Sequence, residues 1–78
     1  MLVVWQFEGC PYCQELRARL TELRLDFIAI NAPRGAEEKD SVMLKLFDSV
    51  KVPALWDTQT GALKGPSECL DYVNEMYG

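Results

Sequence analysis

The stretch LVVWQFEGCPYCQELRARL, residues 2–20, decides how this chain folds. Its first six residues, LVVWQF (2–7), form a continuous β-rich apolar run, the pattern of a strand buried on both faces. From Tyr12 the period changes. Leu16, Leu20 and Leu23 fall at i, i+4 and i+7, with Arg17, Arg19, Glu22 and Arg24 elsewhere, which predicts a helix. Pro11 suits the first turn of that helix, where its missing N–H costs nothing. A strand therefore runs into a helix across GCPYC (9–13), and two cysteines sit at the junction.

Outward from this junction, LDFIAI (25–30) reads as a second strand and NAPRGAEE (31–38) as a loop. Glu37, Glu38 and Asp40 bring acids to the start of a second helix running to about Asp48. Val42 and Leu46, joined by Met43 and Phe47, are expected on its inner face. PALWD (53–57) and GALK (61–64) read as strands joined through the turn DTQTG (57–61). A last helix, about Ser67 to Tyr77, is expected to bury Leu70, Val73 and Tyr77. Trp5 and Trp56 lie on strands and are assigned to the core. The order is β-α-β-α-β-β-α, with no internal repeat, low-complexity segment or linker. This predicts one α/β domain over residues 1–78, a four-stranded mixed sheet flanked by three helices.

Composition excludes several classes of function. Seventy-eight residues make a small core, and 49% of them are hydrophobic without any long apolar run, so no membrane span is expected. MLVVWQFEGC (1–10) has no basic start and no small-residue cleavage site; a cytoplasmic location is the expectation. Eight Lys and Arg against twelve Asp and Glu give a net charge of −4 with no basic stripe, so nucleic acid is not an expected partner. There is no histidine. A Cys–His nucleophile and a His-rich metal site are both impossible. Cys10, Cys13 and Cys69 give three sulfur ligands where structural zinc takes four, so no resident metal is expected. Cys69 itself reads as a small buried filler.

Sites in open α/β sheets form beyond the carboxyl ends of the strands, where Cys10 and Cys13 fall. At a helix N-terminus, Cys10 meets unpaired N–H groups and the positive end of the dipole, which stabilise a thiolate. Cys13, one turn further on the same face, is expected to be more shielded. Cys10 is assigned as the attacking thiol and Cys13 as the resolving one. As a passive disulfide the pair would close only a four-residue loop and constrain the unfolded chain little.

CPYC (10–13), VP (52–53) and GPSECL (65–70) resemble, in order and spacing, the glutaredoxins. QFEGCPYC (6–13) with PSECLDYV (66–73) also looks like the related N-terminal domain of glutathione transferases. The resemblance implies a thioredoxin-like (glutaredoxin) fold, with Cys10 the nucleophile and Cys13 the resolving thiol. It implies that Tyr12 flanks bound glutathione, that Val52 offers its backbone to the tripeptide, and that Pro53 is cis. It matches Gly65 to the first glycine of a Gly-Gly turn and places Ser67 and Glu68 at the γ-glutamyl end; Ser67 also suits an N-cap. Three positions depart from the family pattern. Phe7 stands where a lysine commonly pairs with the glycine carboxylate, Lys51 where threonine precedes Val-Pro, and Pro66 for the second glycine of a Gly-Gly turn. Lys51 and Lys45 are the candidates for the lost cation.

The resulting expectation is a monomeric, glutathione-dependent thiol–disulfide oxidoreductase. It would reduce protein disulfides and glutathione mixed disulfides through the Cys10/Cys13 dithiol, with glutathione as co-substrate and no tightly bound cofactor. A redoxin served by a flavoprotein reductase, acting as electron donor for example to ribonucleotide reductase, is the alternative. An iron–sulfur cluster carrier is a third, disfavoured by proline after the first cysteine. A glutathione-binding module that has lost its partner domain is the last, and retention of both cysteines argues against it.

Overall fold

The computed structural model describes all of residues 1–78. Strand β1 (Leu2–Gln6) leads into helix α1 (Pro11–Glu22), then strand β2 (Phe27–Asn31) and helix α2 (Glu37–Phe47). Strands β3 (Ala54–Asp57) and β4 (Ala62–Lys64) form a hairpin, and helix α3 (Cys69–Tyr77) closes the chain. The sheet order is β2-β1-β3-β4. β2 runs parallel to β1, as a helical crossover requires, while β3 is antiparallel to β1 and β4 to β3. This is the expected mixed sheet. No helix is long and apolar enough to cross a membrane.

All five residues of β1 are buried, and alternation shares them between two cores. Leu2 and Val4 join Leu16 and Leu20 of α1, Leu55, and Cys69 and Val73 of α3 on one face. Val3 and Trp5 join Ala32, Met43 of α2 and Ala54 on the other. Helix α1 ends in a Schellman arrangement. Arg24 takes the left-handed conformation (φ 57°), its N–H bonds Thr21 O, and the Leu25 N–H bonds Leu20 O at 2.9 Å.

Three core expectations change. Helix α2 turns the Met43–Phe47 stripe inward: Met43 is fully buried and Phe47 meets Trp5 edge-to-face at 5.3 Å. Val42 and Leu46 consequently lie outside, 45% and 38% exposed. Trp56 shares a face with its partner Val3 but stays exposed. Helix α3 begins two residues later than expected, because residues 65–68 form a turn in which Gly65 O accepts the Glu68 and Cys69 N–H groups. Ser67 does not cap it; the N-cap position is Glu68, with no side-chain cap bond.

The sequence gives no hint of the contact that fastens α3. Asp57, at the end of β3, is fully buried and accepts hydrogen bonds from Tyr77 Oη (2.5 Å), Tyr72 Oη (2.8 Å) and the Gln59 N–H (3.1 Å). Burial raises the carboxyl pKa, but the Tyr77 and Tyr72 hydroxyls and the Gln59 N–H outweigh it and hold the group below its ordinary value. The same bond pushes Tyr77 up to about 12. A carboxylate with a depressed folded value adds stability above the ordinary carboxylate range and loses it as pH falls through the folded value. Asp57→Asn should therefore lower stability near neutral pH by about 1.5–3 kcal/mol, the scale of hydrogen bonds to a charged group. Thermal unfolding of both proteins from neutral pH downward checks this: the two curves should converge in acid. Parallel curves would rule out the carboxylate as the fastening.

Candidate functional site

Cys10 is the N-cap of α1, with extended backbone (φ −86°, ψ 116°) and Pro11 following as the first helical residue. Its sulfur replaces the usual capping oxygen: the Cys13 N–H donates to Cys10 Sγ at 3.3 Å. The Cys10 N–H bonds Phe7 O at 3.2 Å, closing the turn out of β1. Both cysteines are free thiols. Cys10 Sγ also lies 4.0 Å from Val52 O, and the Val52–Pro53 bond is cis, as expected. Neither the N–H nor the C=O of Val52 has a backbone partner, since the β1–β3 ladder starts at Ala54. Such a free edge is what an extended peptide can join.

The two thiols occupy different environments. Cys10 is 6% exposed and lines a cleft of about 1080 Å³. Cys13 is fully buried. Burial and the neighbouring Cys10 thiol push Cys13 up to about 11, against the opposing Phe7 N–H and Arg17 charge. Cys69, the buried first residue of α3, directs its one S–H at Gly65 O (3.1 Å), with Lys64 O (3.5 Å) and Pro53 O (3.6 Å) also in reach, and burial pushes it up to about 12. Its thiol ties the cis-proline segment to the 65–68 turn.

The residues singled out from sequence divide between two adjoining hollows. Tyr12 and Val52 line the large cleft with Cys10. Tyr12 also lines a second cavity of about 240 Å³ with Pro53 and Ser67. Tyr12, 69% exposed, and Pro66 face both and partition them. Gly65 and Glu68 line neither. The Glu68 carboxylate turns back to accept the Gly65 N–H at 3.4 Å; Glu15 and Asp71 are the carboxylates at the smaller cavity. Half-buried Phe7 lines the large cleft. Of the two candidate cations only Lys51 reaches that cleft, and Arg34 of the β2–α2 loop, missed from sequence, joins it.

With the fold and this geometry described, comparison places the chain. Residues 9–76 match the glutathione S-transferase N-terminal domain, and the chain belongs to that family. The fold is thioredoxin-like, shared with both transferases and glutaredoxins. An epsilon-class glutathione S-transferase from housefly, Musca domestica, superimposes with TM-score 0.83 at 22% identity, over 100% of this chain and 36% of that one. A diazinon-metabolizing glutathione S-transferase from the silkworm, Bombyx mori, gives 0.82 at 24% identity, over 99% and 38%. A wheat glutaredoxin gives 0.74 at 22% identity, over 95% and 70%. The chain thus spans little more than a third of either transferase. No curated protein matches its sequence.

These environments predict selective alkylation. Iodoacetamide near neutral pH should modify Cys10 and leave Cys13 and Cys69 intact until the protein is unfolded, as read by peptide mass mapping. Early modification of Cys13 would contradict the shielding described.

Proposed function

We propose that this domain is a glutathione-dependent thiol–disulfide oxidoreductase. The observation that carries the reading is the asymmetric pair: an N-cap thiol on a cleft and a buried thiol one turn behind it. The Cys10 thiolate attacks a disulfide, whose S–S bond breaks; one half leaves as thiolate and takes a proton from water, and the other stays bound to Cys10. The Cys13 thiolate then attacks Cys10 Sγ, expels the second half and leaves a Cys10–Cys13 disulfide. Two glutathiones return the pair to dithiol and leave as glutathione disulfide. Where the substrate is a glutathione mixed disulfide, the glutathionyl group stays on Cys10 and a second glutathione removes it, so Cys13 is not needed.

Val52 supplies the backbone edge for the tripeptide, and Tyr12 flanks it. Pro53 and Ser67 line the smaller cavity, which takes the γ-glutamyl end, and Gly65 and Glu68 hold the turn beside it. Arg34 and Lys51 offer cations for the glycine carboxylate. Those two side chains answer the missing cation at Phe7 and favour glutathione over a flavoprotein reductase as the electron source. The family also includes transferases, but conjugating glutathione to an electrophile uses no second protein thiol.

Cys13→Ser should retain activity on a small glutathione mixed disulfide and lose most of its activity on a protein disulfide, both assayed with glutathione and glutathione reductase. Equal loss of both would contradict the division of roles, and turnover with thioredoxin reductase alone would contradict the reductant. Arg34→Ala and Lys51→Ala should each raise the KM for glutathione about two- to fivefold at low salt, the scale of a solvated ion pair, and less at high salt. Phe7→Lys should lower it by a similar factor. Unchanged KM values in all three variants would remove the carboxylate from this end of the cleft.

A further inference from the structure

Helix α1 carries Arg17 one turn beyond Cys13 on the same face. Its side chain is only 21% exposed. Arg17 Nη1 donates to Gln6 Oε1, and Gln6, the last residue of β1, is itself buried. The residue after it is Phe7, whose backbone N–H favours the ionised form of Cys13. The end of β1 and the first turns of α1 thus close around one buried thiol, with a guanidinium set into the wall. Gln6 is a neutral acceptor, so it fixes the guanidinium without cancelling its charge; a carboxylate there would cancel it. Glu8 reaches Arg17 only at 4.0 Å and from full solvent exposure.

We propose that Arg17, held against the end of β1 by Gln6, is the positioning residue that stabilises the Cys13 thiolate in the resolving step. This rests on the dithiol reading above. The resolving attack needs Cys13 as thiolate, and burial of this thiol works against its ionisation. Once Cys10 holds the mixed disulfide it bears no charge. From α3, Cys69 faces Cys13 as a thiol that stays protonated at about 12. The Phe7 N–H and the Arg17 charge are then the groups that favour the anion. As Cys13 attacks Cys10 Sγ, the negative charge passes to the leaving sulfur. Arg17 therefore acts by raising the share of Cys13 present as thiolate, a gain that outweighs the lower nucleophilicity of a more stable thiolate, and the proton lost from Cys13 goes to water.

The test uses the full chain and 5,5′-dithiobis(2-nitrobenzoate), an aromatic disulfide that releases one coloured thiolate per attack. The first release reports Cys10, and the second reports Cys13 attacking the mixed disulfide. Relative to the first release, Arg17→Met should slow the second about three- to tenfold at neutral pH. Its pH midpoint should move up by about half to one unit, a discounted form of the usual effect of a nearby opposite charge. Arg17→Lys should restore most of the rate. Gln6→Glu, which neutralises the guanidinium in place, should slow the second release as Arg17→Met does, and it carries the test if Arg17→Met does not fold. A second release with wild-type rate and midpoint in folded Arg17→Met or Gln6→Glu overturns the proposal alone. A second release that persists in Cys13→Ser, or is absent from wild type, overturns the dithiol reading and this proposal with it.

Discussion

Burial of β1 on both faces is the constraint from which the rest follows. Val4 and Leu2 complete one core while Val3 and Trp5 complete the other, so neither layer of helices can pack without that strand. Two cores pin it. Phe7, Glu8 and Gly9 then turn the chain, closed by the Cys10 N–H to Phe7 O bond, and α1 begins. Cys10 is placed by packing rather than by a flexible loop. Its sulfur is also the helix cap, so a chemical group and a structural group are one atom.

Identical side chains three residues apart acquire opposite properties from this placement. Cys10 opens on a cleft whose wall includes the free backbone edge of Val52. Cys13 is removed from water and its thiol is hard to ionise. A disulfide exchanger gains from that difference, because a resolving thiol that stays protonated does not compete for the first attack. At the far end of the sheet, Asp57 fastens α3 through Tyr72 and Tyr77. Helix α3 in turn carries Cys69, which links the 65–68 turn to the cis-proline segment. The cleft is therefore braced from both ends of the sheet.

Much of this was legible from sequence because β1 and α1 carry strong, unmixed periods. Helix α2 was harder for a physical reason: Val42/Leu46 and Met43/Phe47 are two adjacent apolar stripes, and spacing does not say which one meets the sheet. Trp56 has the size of a core residue, but size alone does not say whether a helix covers that end of the sheet face. Asp57 reads as a turn residue, since nothing in the chain marks tyrosines 15 and 20 positions later as its partners. The same limit applied at the site. CPYC is local and readable, whereas Arg34 arrives from a loop without periodicity. The bond from the Gly65 N–H to the Glu68 carboxylate is likewise invisible in spacing. Family membership supplied what periodicity could not, the position of the backbone edge at Val52.

The central claim is that Cys10 and Cys13 exchange electrons with glutathione as one couple. Equilibrating the protein with glutathione and glutathione disulfide at defined ratios, quenching in acid and weighing the intact chain tests this most directly. Reversible loss of two hydrogens is expected, mapped to a Cys10–Cys13 bond, with a midpoint in the glutaredoxin range of about −200 to −230 mV. A chain that stays dithiol at every ratio, or that gains only a glutathionyl group on Cys10 without ever closing the Cys13 bond, would contradict it.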